Sequence, residues 1–138
     1  MFGAEPHMGW AQIMKANTEF AMEKYDEAYN SYNTIMGVPE WRGPLFAEAM
    51  YGMGKSKLAE GDLETAHALF QRVYLLFKSY SDGEWAAKGY IAAADAAFKL
   101  GKEEEAIKTL KAMLEDEYTN KSPLAEQVRE QLKQHGGV

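Results

Sequence analysis

The stretch from Ala47 to Phe77, AEAMYGMGKSKLAEGDLETAHALFQRVYLLF, constrains the fold more than any other part of the chain. It reads as two helices joined by a tight turn at Gly61-Asp62. On the first, Ala49, Met53, Ser56, Leu58 and Ala59 supply small and apolar positions. On the second, Ala66, Phe70, Val73 and Phe77 recur at spacings of three and four, so they share one face. Gly61 suits the left-handed residue that ends a helix, and Asp62 can cap the next by accepting a backbone N–H.

The same hairpin recurs on either side. Glu23-Lys-Tyr-Asp-Glu-Ala28, Gly61-Asp-Leu-Glu-Thr-Ala66 and Gly101-Lys-Glu-Glu-Glu-Ala106 align, and each alanine is followed four residues on by a large side chain: Tyr32, Phe70 and Leu110. The alanines are spaced 38 and 40 residues apart. A period in that range, with two helices per unit, predicts an all-α solenoid of stacked hairpins.

These residues resemble the tetratricopeptide repeats. The second unit carries the pattern most fully, with Met50, Met53, Gly54, Gly61, Asp62, Ala66 and Phe70. The third has Tyr90, Ala94, Gly101, Ala106 and Leu110, and the first has Ala16, Phe20, Tyr25, Ala28 and Tyr32 without the turn glycine. The family unit is about 34 residues, so these repeats are long. That spacing looks like the bacterial cell-envelope relatives, the Tol–Pal-associated periplasmic repeat protein and the outer-membrane assembly lipoproteins. The resemblance implies a right-handed α-α superhelix across the whole chain, with repeats near 8–37, 44–80 and 84–118 and a capping helix near 122–135.

Composition excludes several classes of function. The net charge of −6 argues against nucleic acid, whose binders cluster Lys and Arg, and against an anionic membrane surface. The absence of cysteine removes disulfides, thiolate zinc sites and cysteine nucleophiles together. No run of about 18 apolar residues offers a membrane span. The compartment stays open between cell envelope and cytoplasm.

Reading the chain in order, residues 1 to about 7 are expected to be irregular. Helices follow at about Met8–Glu23, Asp26–Met36, Pro44 to the turn at Gly61, Asp62 to about Tyr80, Glu84–Leu100 and Glu103–Glu117. Ser81 and Glu84 have the spacing of a capping box. The fifth helix is rich in alanine (Ala86, Ala87, Ala92, Ala93, Ala94, Ala96, Ala97), which lets neighbouring helices approach closely. A final helix opening at Ser122-Pro123 carries Leu124, Val128 and Leu132 on one side and charged or amide residues elsewhere, the pattern of a cap.

Chemical motifs are few. Ala49-Met-Tyr-Gly-Met-Gly54-Lys55-Ser56 is a relaxed match to a phosphate-binding loop, which makes nucleotide binding a remote alternative. That chemistry needs free backbone N–H groups between a strand and a helix, whereas this segment lies within a helical pattern. His7, His67 and His135 are far apart, with no partner at metal-ligand spacing. The acidic runs Glu103–Glu105 and Glu115–Glu117 read as solvated helix faces. The eight methionines, at helical spacing, read as core rather than as an adaptable surface. We therefore expect no catalytic residue, no metal and no cofactor.

In repeats of this kind the first helix of each hairpin lines a concave groove that binds an extended peptide or partner helix. The lining positions that the resemblance implies are Trp10, Ile13 and Asn17 in the first repeat, Glu48, Tyr51 and Lys55 in the second, and Lys88, Ile91, Asp95 and Lys99 in the third. Some family members clamp a peptide carboxylate with lysines, arginines and asparagines; here Asn17, Lys55, Lys88 and Lys99 are the candidates, and Asp95 opposes them. The sequence thus predicts a non-enzymatic scaffold or adaptor for a protein or peptide partner. The alternative is a self-assembling module of a larger cell-envelope protein, a homodimer joined through Trp41 or the ends of the stack.

Overall fold

In a computed structural model, residues 5–136 are described. They form seven α-helices: α1 (Pro6–Ala21), α2 (Tyr25–Met36), α3 (Pro44–Ala59), α4 (Leu63–Leu76), α5 (Glu84–Lys99), α6 (Glu103–Glu115) and α7 (Ala125–Gln134). Short 3₁₀ turns at Pro39–Trp41 and Tyr80–Gly83 join α2 to α3 and α4 to α5. No strand occurs among the described residues. Each helix packs on the next, and α3 also touches α1 and α5, so α1, α3 and α5 stand side by side.

Three of the connections share one geometry. Glu23, Gly61 and Gly101 all take positive φ, at 61°, 85° and 80°. In each, the following N–H reaches back to the carbonyl five residues earlier: Lys24 to Glu19 at 2.9 Å, Asp62 to Lys57 at 2.9 Å and Lys102 to Ala97 at 2.8 Å. The left-handed residue itself donates to Phe20, Leu58 and Phe98 respectively. This satisfies carbonyls that the helix end leaves without partners. The first hairpin makes the same turn without glycine, so Glu23 carries a strain that the other two avoid. Asp62 caps α4 as expected, accepting from the Thr65 N–H at 3.2 Å.

Both within and between the hairpins, small residues on α3 and α5 receive large ones from α2 and α4. A Cβ at Gly52 would lie 2.4 Å from the Tyr32 ring, and one at Gly54 would lie 2.5 Å from the Phe70 ring. A Cβ at Gly89 would lie 3.0 Å from the Val73 side chain and 3.1 Å from the Phe70 carbonyl. The alanines of α5 serve the same end: Ala86, Ala87, Ala93, Ala94, Ala96 and Ala97 are fully buried, and Ala92 is partly so. Ala28, Ala66 and Ala106, which defined the repeat, are all buried beside Tyr32, Phe70 and Leu110. One apolar cluster joins α1 to α4 around Ile35, Met50, Met53 and Val73. A second joins α5 to α7 around Leu110, Met113 and Val128, and Phe70 with Ala66 and Ala93 lies between them.

Asp116, just beyond α6, ties the last part together. Its carboxylate receives the Lys78 ammonium at 2.7 Å, the Tyr90 hydroxyl at 2.9 Å and the Tyr118 N–H at 2.8 Å. Burial alone would raise this carboxyl, but Lys78, the Tyr118 N–H and Tyr90 together hold it below the usual aspartate value.

Several boundaries differ from expectation. Helix α1 starts at Pro6 and stops at Ala21, so residues 6 and 7 are helical; residues 1–4 lie outside the described residues. Helix α4 ends at Leu76 rather than near Tyr80, because the chain turns through Tyr80–Gly83 with Ser81 and Asp82 at φ 54° and 53°. Ser81 therefore cannot cap α5; left-handed Gly83 occupies that position, pressed against the Tyr118 carbonyl. Helix α6 ends at Glu115, two residues early, where Asp116 turns extended. Helix α7 begins at Ala125, since the Ser122 hydroxyl accepts from the Leu124 N–H at 3.1 Å and so closes a turn before the helix.

Candidate functional site

The side-by-side helices α1, α3 and α5 present one face. Starting from α1, Asn17 accepts the Tyr32 hydroxyl at 2.6 Å and donates to Glu48 of α3 at 3.5 Å. Tyr32 is nearly buried (3% exposed), and its phenol is pushed up to about 12 by burial, with the Glu48 and Glu19 carboxylates adding to the effect. One turn further along α3, the Tyr51 ring packs at 5.5 Å from Phe70 and 5.8 Å from Trp85 of α5. Burial raises the Tyr51 phenol as well. The Lys55 ammonium lies over the Phe20 ring at 4.7 Å and approaches Tyr51 at 5.8 Å. On α5, Lys88 covers Trp85 at 4.4 Å and pairs with Glu84 at 3.1 Å.

The structure thus brings Asn17, Glu48, Tyr51, Lys55 and Lys88 into one row, with Phe20 and Trp85 filling it. Ile13 does not belong to it. At 1% exposure it lies in the apolar core, because its place on α1, with Gly9, Ala16 and Phe20, turns toward α2 and α3. Trp10 is 65% exposed and borders a cleft of about 320 Å³ with Trp41, Pro44, Leu45 and Glu48. Ile91 is half-buried against the second apolar cluster. Asp95 and Lys99 pair with each other at 3.1 Å further along α5.

Sequence reasoning missed Trp85 and Phe20. Trp85 stands three residues before Lys88, the spacing at which a lysine can lie over an indole, and that was the available signal. The carboxylate-clamp candidates are mostly engaged. Asn17 is held by Tyr32 and Glu48, Lys88 by Glu84 and Lys99 by Asp95. Among the described residues no carboxylate forms an ion pair with Lys55, whose ammonium lies over the two rings.

The segment Ala49–Ser56 lies in the middle of α3. Its backbone is helical, Gly52, Gly54 and Ser56 are buried, and the Ser56 hydroxyl donates to the Gly52 carbonyl at 2.9 Å. That geometry is a packed helix rather than a loop turned around phosphates. A larger cleft of about 610 Å³ opens where α5 begins, lined by Asp82, Glu84, Lys88, Tyr118, Lys121 and Pro123 among others. Its charges are mixed. Among the described residues no three His, Asp or Glu side chains are arranged to hold a metal, and no helix is long and apolar enough to cross a membrane.

No family model matches the sequence, and no curated protein matches it.

Proposed function

We propose that the chain is a tetratricopeptide-type module of three hairpins and a capping helix, a right-handed solenoid that binds a peptide or partner helix along α1, α3 and α5 and has no catalysis of its own. The repeated turn at Glu23, Gly61 and Gly101 and the glycine-under-ring packing favour the repeat assignment. The observation that carries the binding reading is Lys55. It is an ammonium held over Phe20 and Tyr51 with no carboxylate partner among the described residues, beside the Tyr51–Trp85 pair. Aromatic anchors beside an unpaired cation suit a ligand that carries an apolar side chain next to a carboxylate.

The reading is tested by selecting peptides from a displayed random library on the wild-type chain, then measuring them on Lys55→Glu and Lys88→Glu. Both lysines lie on the face and outside the core, so helicity should persist. The expected outcome is enrichment of an acidic residue beside an aromatic or leucine, with at least about tenfold weaker binding to Lys55→Glu. Selected peptides that bind both variants as tightly as the wild type would place recognition elsewhere and sink the proposal.

A further inference from the structure

Helix α1 has a second face that the row above does not use. Its outward side carries Trp10, Ala11, Met14, Thr18 and Ala21, and Met22 follows at its end. Trp10, Met14 and Met22 are 65%, 63% and 57% exposed, so these methionines are surface rather than the core expected from sequence. No carboxylate, lysine or arginine belongs to this set; exposed His7 lies one turn before Trp10 and Ala11 on the same side. The neighbouring Lys15, whose side chain is 60% exposed, borders this set and lies within 3.4 Å of Glu19 and 3.0 Å of the Ser31 hydroxyl. The opposite end of the stack contrasts with it. There α7 buries Ala125, Val128 and Leu132 and turns Glu126, Arg129, Glu130 and Lys133 to solvent.

We propose that this face of α1 is a homodimer interface, with the first helices of two copies packed antiparallel about a two-fold axis near residue 16. The spacing is self-complementary about that point. Trp10 falls opposite the partner's Met22, Ala11 opposite the partner's Ala21, and Met14 opposite the partner's Thr18. The alanine pair permits close approach, and a thioether against an indole is a favourable contact. Antiparallel pairing also sets the helix dipoles in opposition.

Trp10, Met14 and Met22, each more than half exposed, supply most of the apolar surface that such a pair would remove from water. Head-to-tail growth is disfavoured, because it would bury the charged outer side of α7 against this apolar face. An isologous contact closes at two copies instead. With each copy carrying −6, an uncharged face is also the surface through which two copies meet with least repulsion, so added salt should tighten the pair.

The test is sedimentation velocity from about 1 μM to about 500 μM, with parallel runs on Met14→Glu and Met22→Lys, whose helicity is checked by circular dichroism. The chain has no cysteine, so Ala11→Cys and Ala21→Cys each add the sole thiol. In the proposed register residue 11 of one copy faces residue 21 of the other, while like positions stand about 15 Å apart along the axis, beyond disulfide reach. The expected result is a wild-type mass that climbs toward two chains, at least tenfold weaker association of both charged variants, and a disulfide dimer when the two cysteine variants are mixed but not from either alone. A single-chain mass throughout, a dimer indifferent to both charged variants, or efficient self-linking of one cysteine variant each overturns the proposal.

Discussion

Gly52 offers a decisive test of how the hairpins fit together. It sits inside α3, where alanine is favoured over glycine by about 1 kcal/mol on helix propensity alone. Judged on the helix, Gly52→Ala should stabilise. The packing predicts the reverse. The added methyl would lie 2.4 to 2.6 Å from three atoms of the Tyr32 ring, more than 1 Å inside ordinary contact. Tyr32 is nearly buried and its hydroxyl is tied to Asn17, so the ring cannot swing away without losing that bond. Overpacking of this sort costs about 1–3 kcal/mol, and the hydrogen bond about 0.5–1.5 more if it breaks.

After the propensity gain is subtracted, Gly52→Ala should destabilise by up to about 2 kcal/mol if the hydrogen bond survives and by about 0.5–3.5 kcal/mol if it breaks, at most about 12 °C in Tm for a chain of this length. Urea and thermal unfolding followed by circular dichroism measure it, with Tyr32→Leu completing a double-mutant cycle. In the Tyr32→Leu background the methyl has room, and Gly52→Ala should become neutral or stabilising by up to about 1 kcal/mol. If Gly52→Ala raises stability in the wild-type background, the close approach of α2 and α3 is wrong. The account of why glycine occupies this position then fails with it.

Three further outcomes are expected. Glu23→Gly should stabilise by up to about 1 kcal/mol, read as a rise in Tm, because among the three matching helix-end turns at Glu23, Gly61 and Gly101 it relieves the one that lacks glycine; Glu23→Ala should not. Asp116→Asn should destabilise by about 2–4 kcal/mol in chemical unfolding, since it leaves Lys78 and Tyr90 without their charged acceptor, and the half-exposed lysine keeps the figure below that of a fully buried pair. The same carboxyl has its folded pKa lowered, so its contribution is present above the usual aspartate value and is lost as pH falls below it. The acid limb of a pH–stability profile should therefore flatten in Asp116→Asn. At the alkaline end, Tyr32, Tyr51, Tyr74 and Tyr90 are all raised chiefly by burial, so their folded forms hold protons more tightly than the unfolded chain. Stability should fall as pH rises above 10, toward the Tyr32 value of about 12, and Tyr32→Phe should reduce that slope.

Helix count and pairing were legible because they rest on local chemistry. The alanines at 28, 66 and 106 and the turns before them declare where hairpins bend and which side packs. Ends were less legible. Ser81, Ser122 and the stop of α4 were decided by contacts such as Gly83 against the Tyr118 carbonyl, which pair residues far apart in sequence. The face of the odd helices was legible at Tyr51, Lys55 and Lys88. At Ile13 it was not, since a family position says which helix lines a surface but not how that helix is rotated about its axis. Rotation is set by the packing of Gly9, Ile13, Ala16 and Phe20 as a group, and it is also what leaves Met14 and Met22 outside.

If the odd helices bind a ligand as proposed, the order of this face bears on how. Along the face, Asn17 is fixed between Tyr32 and Glu48, Lys88 between Trp85 and Glu84, and Tyr51 between Phe70 and Trp85. A ligand would meet side chains already ordered by the fold, so the entropic penalty of about 0.5–1.5 kcal/mol for each immobilised side chain is largely met before binding. Lys55 differs, because stacking on rings restrains its stem while its ammonium lacks a counter-charge among the described residues. On the proposed binding reading, shape along this face would be set by rigid neighbours and charge preference by one adaptable residue. Substitutions at Tyr51 or Trp85 should change affinity for every ligand alike, whereas Lys55→Gln should change chiefly the discrimination between acidic and neutral ones.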